Sequence, residues 1–131
     1  MKIAIILAAS FVLFIILDLL WFSVAGNFFK TEIGNIARLS ADGSWNVLYL
    51  PALMVYLLMS IGLLWFVLPN VNSWGEAALY GAGFGLITYG IYDLTNLATI
   101  TDWTVKFAIV DMLWGTFLLS LITTLVYKFL Y

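Results

Sequence analysis

Polar residues along this chain fall into short clusters that separate four long apolar runs. These are Ile3–Phe22, Val47–Leu68, about Ala77 to Ala98, and about Trp103 to Phe129. Each reaches the roughly 20 residues that a helix needs to cross a bilayer. A helix satisfies its own backbone in lipid, and strong alternation with a period of two residues, which a barrel would require, is absent. The pattern predicts an all-α polytopic membrane protein with four transmembrane helices in an up-down bundle, forming one integral membrane domain over 1–131.

The boundaries carry helix signals. Pro51 falls in the first turns of the second helix, where proline is tolerated. Ser44 is placed to cap that helix. Ser73-Trp74-Gly75-Glu76 reads as a capping box for the third, and Asp102 as a cap for the fourth, with Asp102–Lys106 a favourable i,i+4 pair. Trp45, Trp74 and Trp103 mark expected water–lipid boundaries. The long first loop, residues 23–46, contains Phe29, Ile33 and Ile36 at helical spacing, so it holds either a short interfacial helix or an ordered polar loop. Lys2, an apolar run and Ser23-Val24-Ala25 imitate a cleavable signal, but Asp18 and Trp21 inside the run argue against cleavage. Lys2 and Lys128 lie on one side of the expected bundle and Lys30, Arg38 and Lys106 on the other, so the positive-inside rule selects no orientation.

Composition supports lipid as the solvent: 65% of residues are hydrophobic and 9% charged. The chain has no cysteine and no histidine. Disulfides, thiolate chemistry and the usual zinc, copper or haem ligands are therefore excluded, and neither a cofactor nor a metal is expected. A net charge of −2 gives no basic surface for nucleic acid. The expected partners are the lipid bilayer, a second copy of this small chain in a homodimer, and a small-molecule, lipid or cation ligand.

Three aspartates interrupt the apolar runs: Asp18, Asp93 and Asp111. Ionisable groups inside a membrane span are costly and mark functional sites by default. A helical rise of 1.5 Å per residue places them roughly 10, 7–8 and 12 Å from one and the same surface. Their neighbours are informative. Asp18-Leu19-Leu20-Trp21 and Asp111-Met112-Leu113-Trp114 each place an indole one turn from a carboxylate, on helices of opposite direction. Tyr89, Asp93 and Asn96 share one face of the third helix, beside a stripe of Thr88, Tyr92, Thr95 and Thr99. Gly81-x-x-x-Gly85 permits close helix approach. The second helix offers Tyr49, Tyr56 and Ser60, and Lys106 is the one cation placed to reach Asp111 or Asp93. The expected ligand- or proton-binding set is Asp18, Trp21, Tyr89, Tyr92, Asp93, Asn96, Asp111 and Trp114. Three adjacent ionised carboxylates in low dielectric would repel, so a shared proton or a bound cation is expected among them.

Asp18-x-x-Trp21, Tyr92-Asp93-Leu94-Thr95-Asn96-Leu97-Ala98-Thr99 and Val110-Asp111-x-x-Trp114-Gly115 resemble the bacterial membrane family called domain of unknown function 2177. The resemblance runs over nearly the whole chain and implies a small four-helix, multi-pass protein of the bacterial inner membrane. It implies no reaction. Three functions remain open: binding or transport of a small molecule or cation through a protonatable aspartate cluster; an intramembrane enzyme acting on a lipid or isoprenoid by carboxylate acid/base chemistry, with Asn96 or Tyr92 orienting the substrate; and an accessory or structural subunit.

Overall fold

A computed structural model describes all residues from Met1 to Tyr131. It is all-helical: α1 (Lys2–Ile33), α2 (Tyr49–Gly62), α3 (Trp74–Thr99) and α4 (Val105–Leu130). The second membrane helix is not uniform. After Gly62 it widens into a π-turn at Leu63–Val67 and then tightens into a 3-10 turn at Leu68–Asn70. Lys2–Ile33, Tyr49–Asn70 and Val105–Leu130 are long and apolar enough to cross a membrane. α3 matches α4 at 26 residues, but its glycines, threonines, Asn96 and Asp93 make it less apolar. It runs antiparallel to α4, with Ala78 beside Ser120 at one end and Tyr92 beside Trp103 at the other. Packing along α4, rather than hydropathy, therefore carries α3 through the same thickness.

Neighbours around the ring follow chain order. α1 packs on α2 and α4, α3 packs on α4, and α3 meets the second helix chiefly at its π-turn. Two apolar clusters fill the bundle. The larger joins Ile6, Phe14, Leu63, Leu68, Leu118 and Ile122, among others. The smaller joins Ala25, Phe29, Trp103, Phe107 and Ala108 at the opposite end.

Several boundaries differ from the sequence expectation. α1 does not stop at Phe22 but continues to Ile33, so Phe29 and Ile33 belong to it and form no separate interfacial helix. Polarity rises after Phe22, yet nothing there breaks a helix. Ala25 and Phe29 extend the buried face, at 6% and 3% exposure. At 32 residues, α1 is about 48 Å long against a hydrocarbon core of about 30 Å. Its last turns thus stand in the interface. The rest of the first loop contains a small turn closed by a bridge between Leu39 and Trp45, with Gly43 at φ 79°.

Ser44 does not cap α2. Its backbone N–H and hydroxyl both donate to Asp42 Oδ1, and α2 starts from Leu48 with no side-chain cap. Ser73 does cap α3, accepting from the Glu76 N–H at 3.1 Å. The Glu76 carboxylate reaches one residue past the cap, to the Asn72 N–H at 2.8 Å. Asp102 is not the cap of α4; Thr104 is, accepting from the Phe107 N–H at 3.1 Å. Because the helix begins at Val105, Asp102 and Lys106 share no helical face. Lys106 pairs instead with Glu32 at 3.3 Å, so it serves neither Asp93 nor Asp111. Trp74 is exposed as a belt residue would be, whereas Trp103 is only 7% exposed and sits inside the smaller cluster.

α3 and α4 approach closely because side chains are missing where they cross. A Cβ on Gly81 would lie 2.6 Å from the Leu119 carbonyl oxygen, and one on Gly85 would run into the backbone of Gly115. A Cβ on Gly115 would enter the Tyr89 ring, while one on Gly83 would meet nothing within 4 Å. Gly85→Ala should therefore destabilise the protein by about 1–3 kcal/mol, the usual cost of overpacking a fitted contact. Gly83→Ala should be neutral or slightly stabilising. Thermal unfolding of both in one detergent checks this, and equal melting points would refute the seam.

A polar latch ties the end of α1 to the start of α4. Glu32, with its side chain 12% exposed, accepts from the Thr104 hydroxyl at 2.7 Å and pairs with Lys106. The Thr104 hydroxyl, and secondarily Lys106, hold the Glu32 carboxyl below its ordinary value of 4.5. A lowered folded value means that the ionised form is the one bound. Its stabilisation is complete above pH 4.5 and is lost as pH falls through the lowered value. Melting curves between pH 7 and pH 3 should show this acid loss in the native protein and a smaller one in Glu32→Gln.

Candidate intramembrane site

Between the two apolar clusters the four helices enclose a cavity of about 510 Å³. α1 contributes Asp18, Trp21, Phe22 and Phe29 to its wall; α2 contributes Ala52, Val55, Tyr56 and Met59; α3 contributes Thr88, Tyr89 and Tyr92; α4 contributes Asp111 and Trp114, and Val47 closes one edge. It exists because α3 packs on the π-turn of the second helix, leaving the preceding stretch of α2 splayed from α3. Val55 and Tyr92 face the resulting gap and are 52% and 54% exposed. Val55 lies six residues into α2, about 9 Å along the helix. A gap between two neighbouring helices of the bundle faces sideways, and Tyr49–Asn70 is a segment long and apolar enough to cross a membrane.

Asp18 is 7% exposed and accepts a hydrogen bond from the Trp114 indole at 2.8 Å. The D-x-x-W pairs thus interact across helices: the indole from α4 serves the carboxylate of α1. Trp21 and Trp114 stack with ring centroids 4.6 Å apart and planes 5° from parallel. The relation is not reciprocal, since the buried Trp21 N–H has no partner. Asp18 is thus tied to α4 at Trp114, one helical turn along from Asp111.

Buried hydroxyls in this bundle are satisfied within their own helices. Ser10 donates to the Ile6 carbonyl at 2.8 Å, Ser60 to Tyr56 at 2.8 Å and Thr123 to Leu119 at 2.6 Å. Asp93 differs. It is 0% exposed, and neither of its carboxyl oxygens has a hydrogen-bond partner. It faces Asp111 across the α3–α4 seam and the Trp103 indole beside it, but neither contact closes as a hydrogen bond, and the Trp103 N–H is also unpartnered. An isolated ionised carboxylate is very costly in such a place. A proton or a cation between Asp93 and Asp111 would remove the repulsion and supply the missing bond.

Of the residues expected from sequence, Asp18, Trp21, Tyr89, Tyr92, Asp111 and Trp114 line the cavity. Asp93 lies behind Asp111, and Asn96 lies outside the cavity. Thr88 belongs to the wall, whereas Thr99 turns back to the Thr95 carbonyl at 2.8 Å. On the second helix Tyr56 lines the cavity, but Tyr49 is 79% exposed and Ser60 is engaged with its own helix. Sequence reasoning missed Phe22, Phe29, Val47, Ala52, Val55 and Met59. Phe22 and Phe29 are spaced i, i+7, which would have shown that α1 continues past its apolar run.

The asymmetry of the two indoles can be measured. Trp114→Phe and Trp21→Phe both shorten the stacked pair, but the first also removes the indole hydrogen bond to Asp18. Trp114→Phe should cost about 1–2 kcal/mol more than Trp21→Phe, the worth of a buried hydrogen bond to a carboxylate. Denaturant unfolding in one detergent compares them, and equal losses would show that the bond contributes nothing.

Comparisons with curated proteins and with solved structures found no match. A family model described as a predicted membrane protein, DUF2177, matches residues 3–128. The match spans all but the outermost residues of α1 through α4, and the chain belongs to the DUF2177 family of membrane proteins.

Proposed function

We propose that this protein binds a small molecule or cation in the intramembrane cavity and couples its exchange to a proton held by the aspartate cluster, as a carrier does. The observation that supports this reading is the position of Asp111. One side of it faces the cavity, and the other faces the enclosed, unpartnered Asp93. A ligand reaching Asp111 then competes with the proton that bridges the two acids. Ligand entry releases the proton, and protonation expels the ligand. Asp18, its geometry fixed by Trp114, supplies a second carboxylate on the same wall. A helical bundle of this kind fits a bacterial cytoplasmic membrane, since outer membranes carry barrels.

A carbodiimide tests the reading directly, because it adds to protonated carboxyls in apolar surroundings. Purified protein in liposomes, treated with N,N′-dicyclohexylcarbodiimide and mapped by mass spectrometry, should be modified at Asp111 or Asp93, less so as pH rises. Glu32, ionised in the interface, should stay unmodified. Absence of any label on Asp18, Asp93 and Asp111 between pH 5 and pH 9 would overturn the proposal.

A further inference from the structure

We infer that the occupant of the cavity is a lipophilic organic cation, admitted from the bilayer through the gap between α2 and α3. The inference rests on the binding role proposed above and names its ligand class. Charge comes first. The wall carries Asp18 and Asp111 and no lysine or arginine, so an anion would be repelled.

Wall chemistry separates an organic cation from a bare ion. Hard metal ions require six or more oxygen ligands. No group of three or more acidic side chains is arranged here to hold one, and one oxygen of Asp18 is already committed to Trp114. The remaining wall is largely aromatic. Trp21, Tyr56, Tyr89 and Tyr92 line it, and such rings suit a cation with apolar substituents, by cation–π attraction and by burial of its surface. A volume of about 510 Å³ is that of a small-molecule site. Asp93, 0% exposed and unpartnered behind Asp111, is a buried acid whose oxygens await a proton whenever Asp111 turns to a ligand.

The route follows from the gap. Val55 and Tyr92 flank it, and a lipophilic cation concentrates in the bilayer before it binds. The π-turn at Leu63–Val67 anchors the second helix to α3 below the gap, leaving the stretch above it to form one jamb of the opening.

Protein in lipid nanodiscs would be titrated with tetraphenylphosphonium and with the smaller benzyltrimethylammonium, against protein-free nanodiscs. Saturable binding of at least one cation, with proton release and protection of the aspartates from carbodiimide, is the expected result. Asp18→Asn and Asp111→Asn should each weaken binding at least tenfold while their melting curves remain cooperative. Tetraphenylborate, the anion of matching shape, should not bind. Val55→Trp should slow association severalfold; an unchanged rate would overturn the lateral route. Saturable binding of neither cation, equal binding of tetraphenylborate, or unchanged affinity in both asparagine variants would overturn the ligand class. Carbodiimide labelling that neither cation protects defeats this inference and leaves the binding role standing, whereas absence of labelling defeats the binding role itself.

Discussion

Backbone-to-backbone packing of α3 on α4 depends on Gly81, Gly85 and Gly115, positions where any side chain would collide with the opposite helix. In lipid there is little hydrophobic force between helices, so close van der Waals contact and small residues must provide the association. The seam does more than hold two helices. It brings Asp93 against Asp111, and it seats Tyr89 over Gly115, where the ring becomes part of the cavity wall. A looser α3–α4 contact would let lipid or water separate the two acids, and the cavity would lose the buried partner behind Asp111.

The second helix provides the opposing condition. Its π-turn and 3-10 turn place Leu63, Leu64, Val67 and Leu68 in the core, and α3 packs against this segment. The regular helix before it, Tyr49–Gly62, leans on α1 and leaves α3 uncovered. π-turns often occur at functional sites because they redirect a helix without breaking it. Here the redirection separates a tightly packed half of the bundle from a half that can admit a ligand. The latch of Glu32, Thr104 and Lys106 ties the end of α1 to the start of α4.

Parts of the site were legible from residue type and spacing. Aspartates in apolar runs are conspicuous because hydrocarbon penalises them, and helical rise is regular enough to place Asp93 and Asp111 near one depth. The D-x-x-W spacing showed that an indole could serve a carboxylate. It could not show that Trp114 serves Asp18 on another helix while Trp21 serves none, since that depends on rotation about each helix axis. Likewise Asn96 shares a helical face with Asp93 in the sequence but lies beyond the cavity, because the walls do not extend to the last turn of α3. The cap at Thr104 was misplaced to Asp102 because both are capping residues, and packing against Glu32 decides where the turn ends and the helix begins.

By itself the sequence determined the solvent and the elements: apolar runs of membrane length demand helices, glycines at i,i+4 permit a seam, and the absence of histidine and cysteine removes imidazole and thiolate chemistry. Those properties are local, set by the hydropathy and backbone freedom of each segment. Only the tertiary structure decided that α1 continues past its apolar run, that the second helix unwinds into a π-turn, and that Asp111 stands between a cavity and a buried acid. These depend on which faces meet across helices distant in sequence, and contact of that kind is settled by packing.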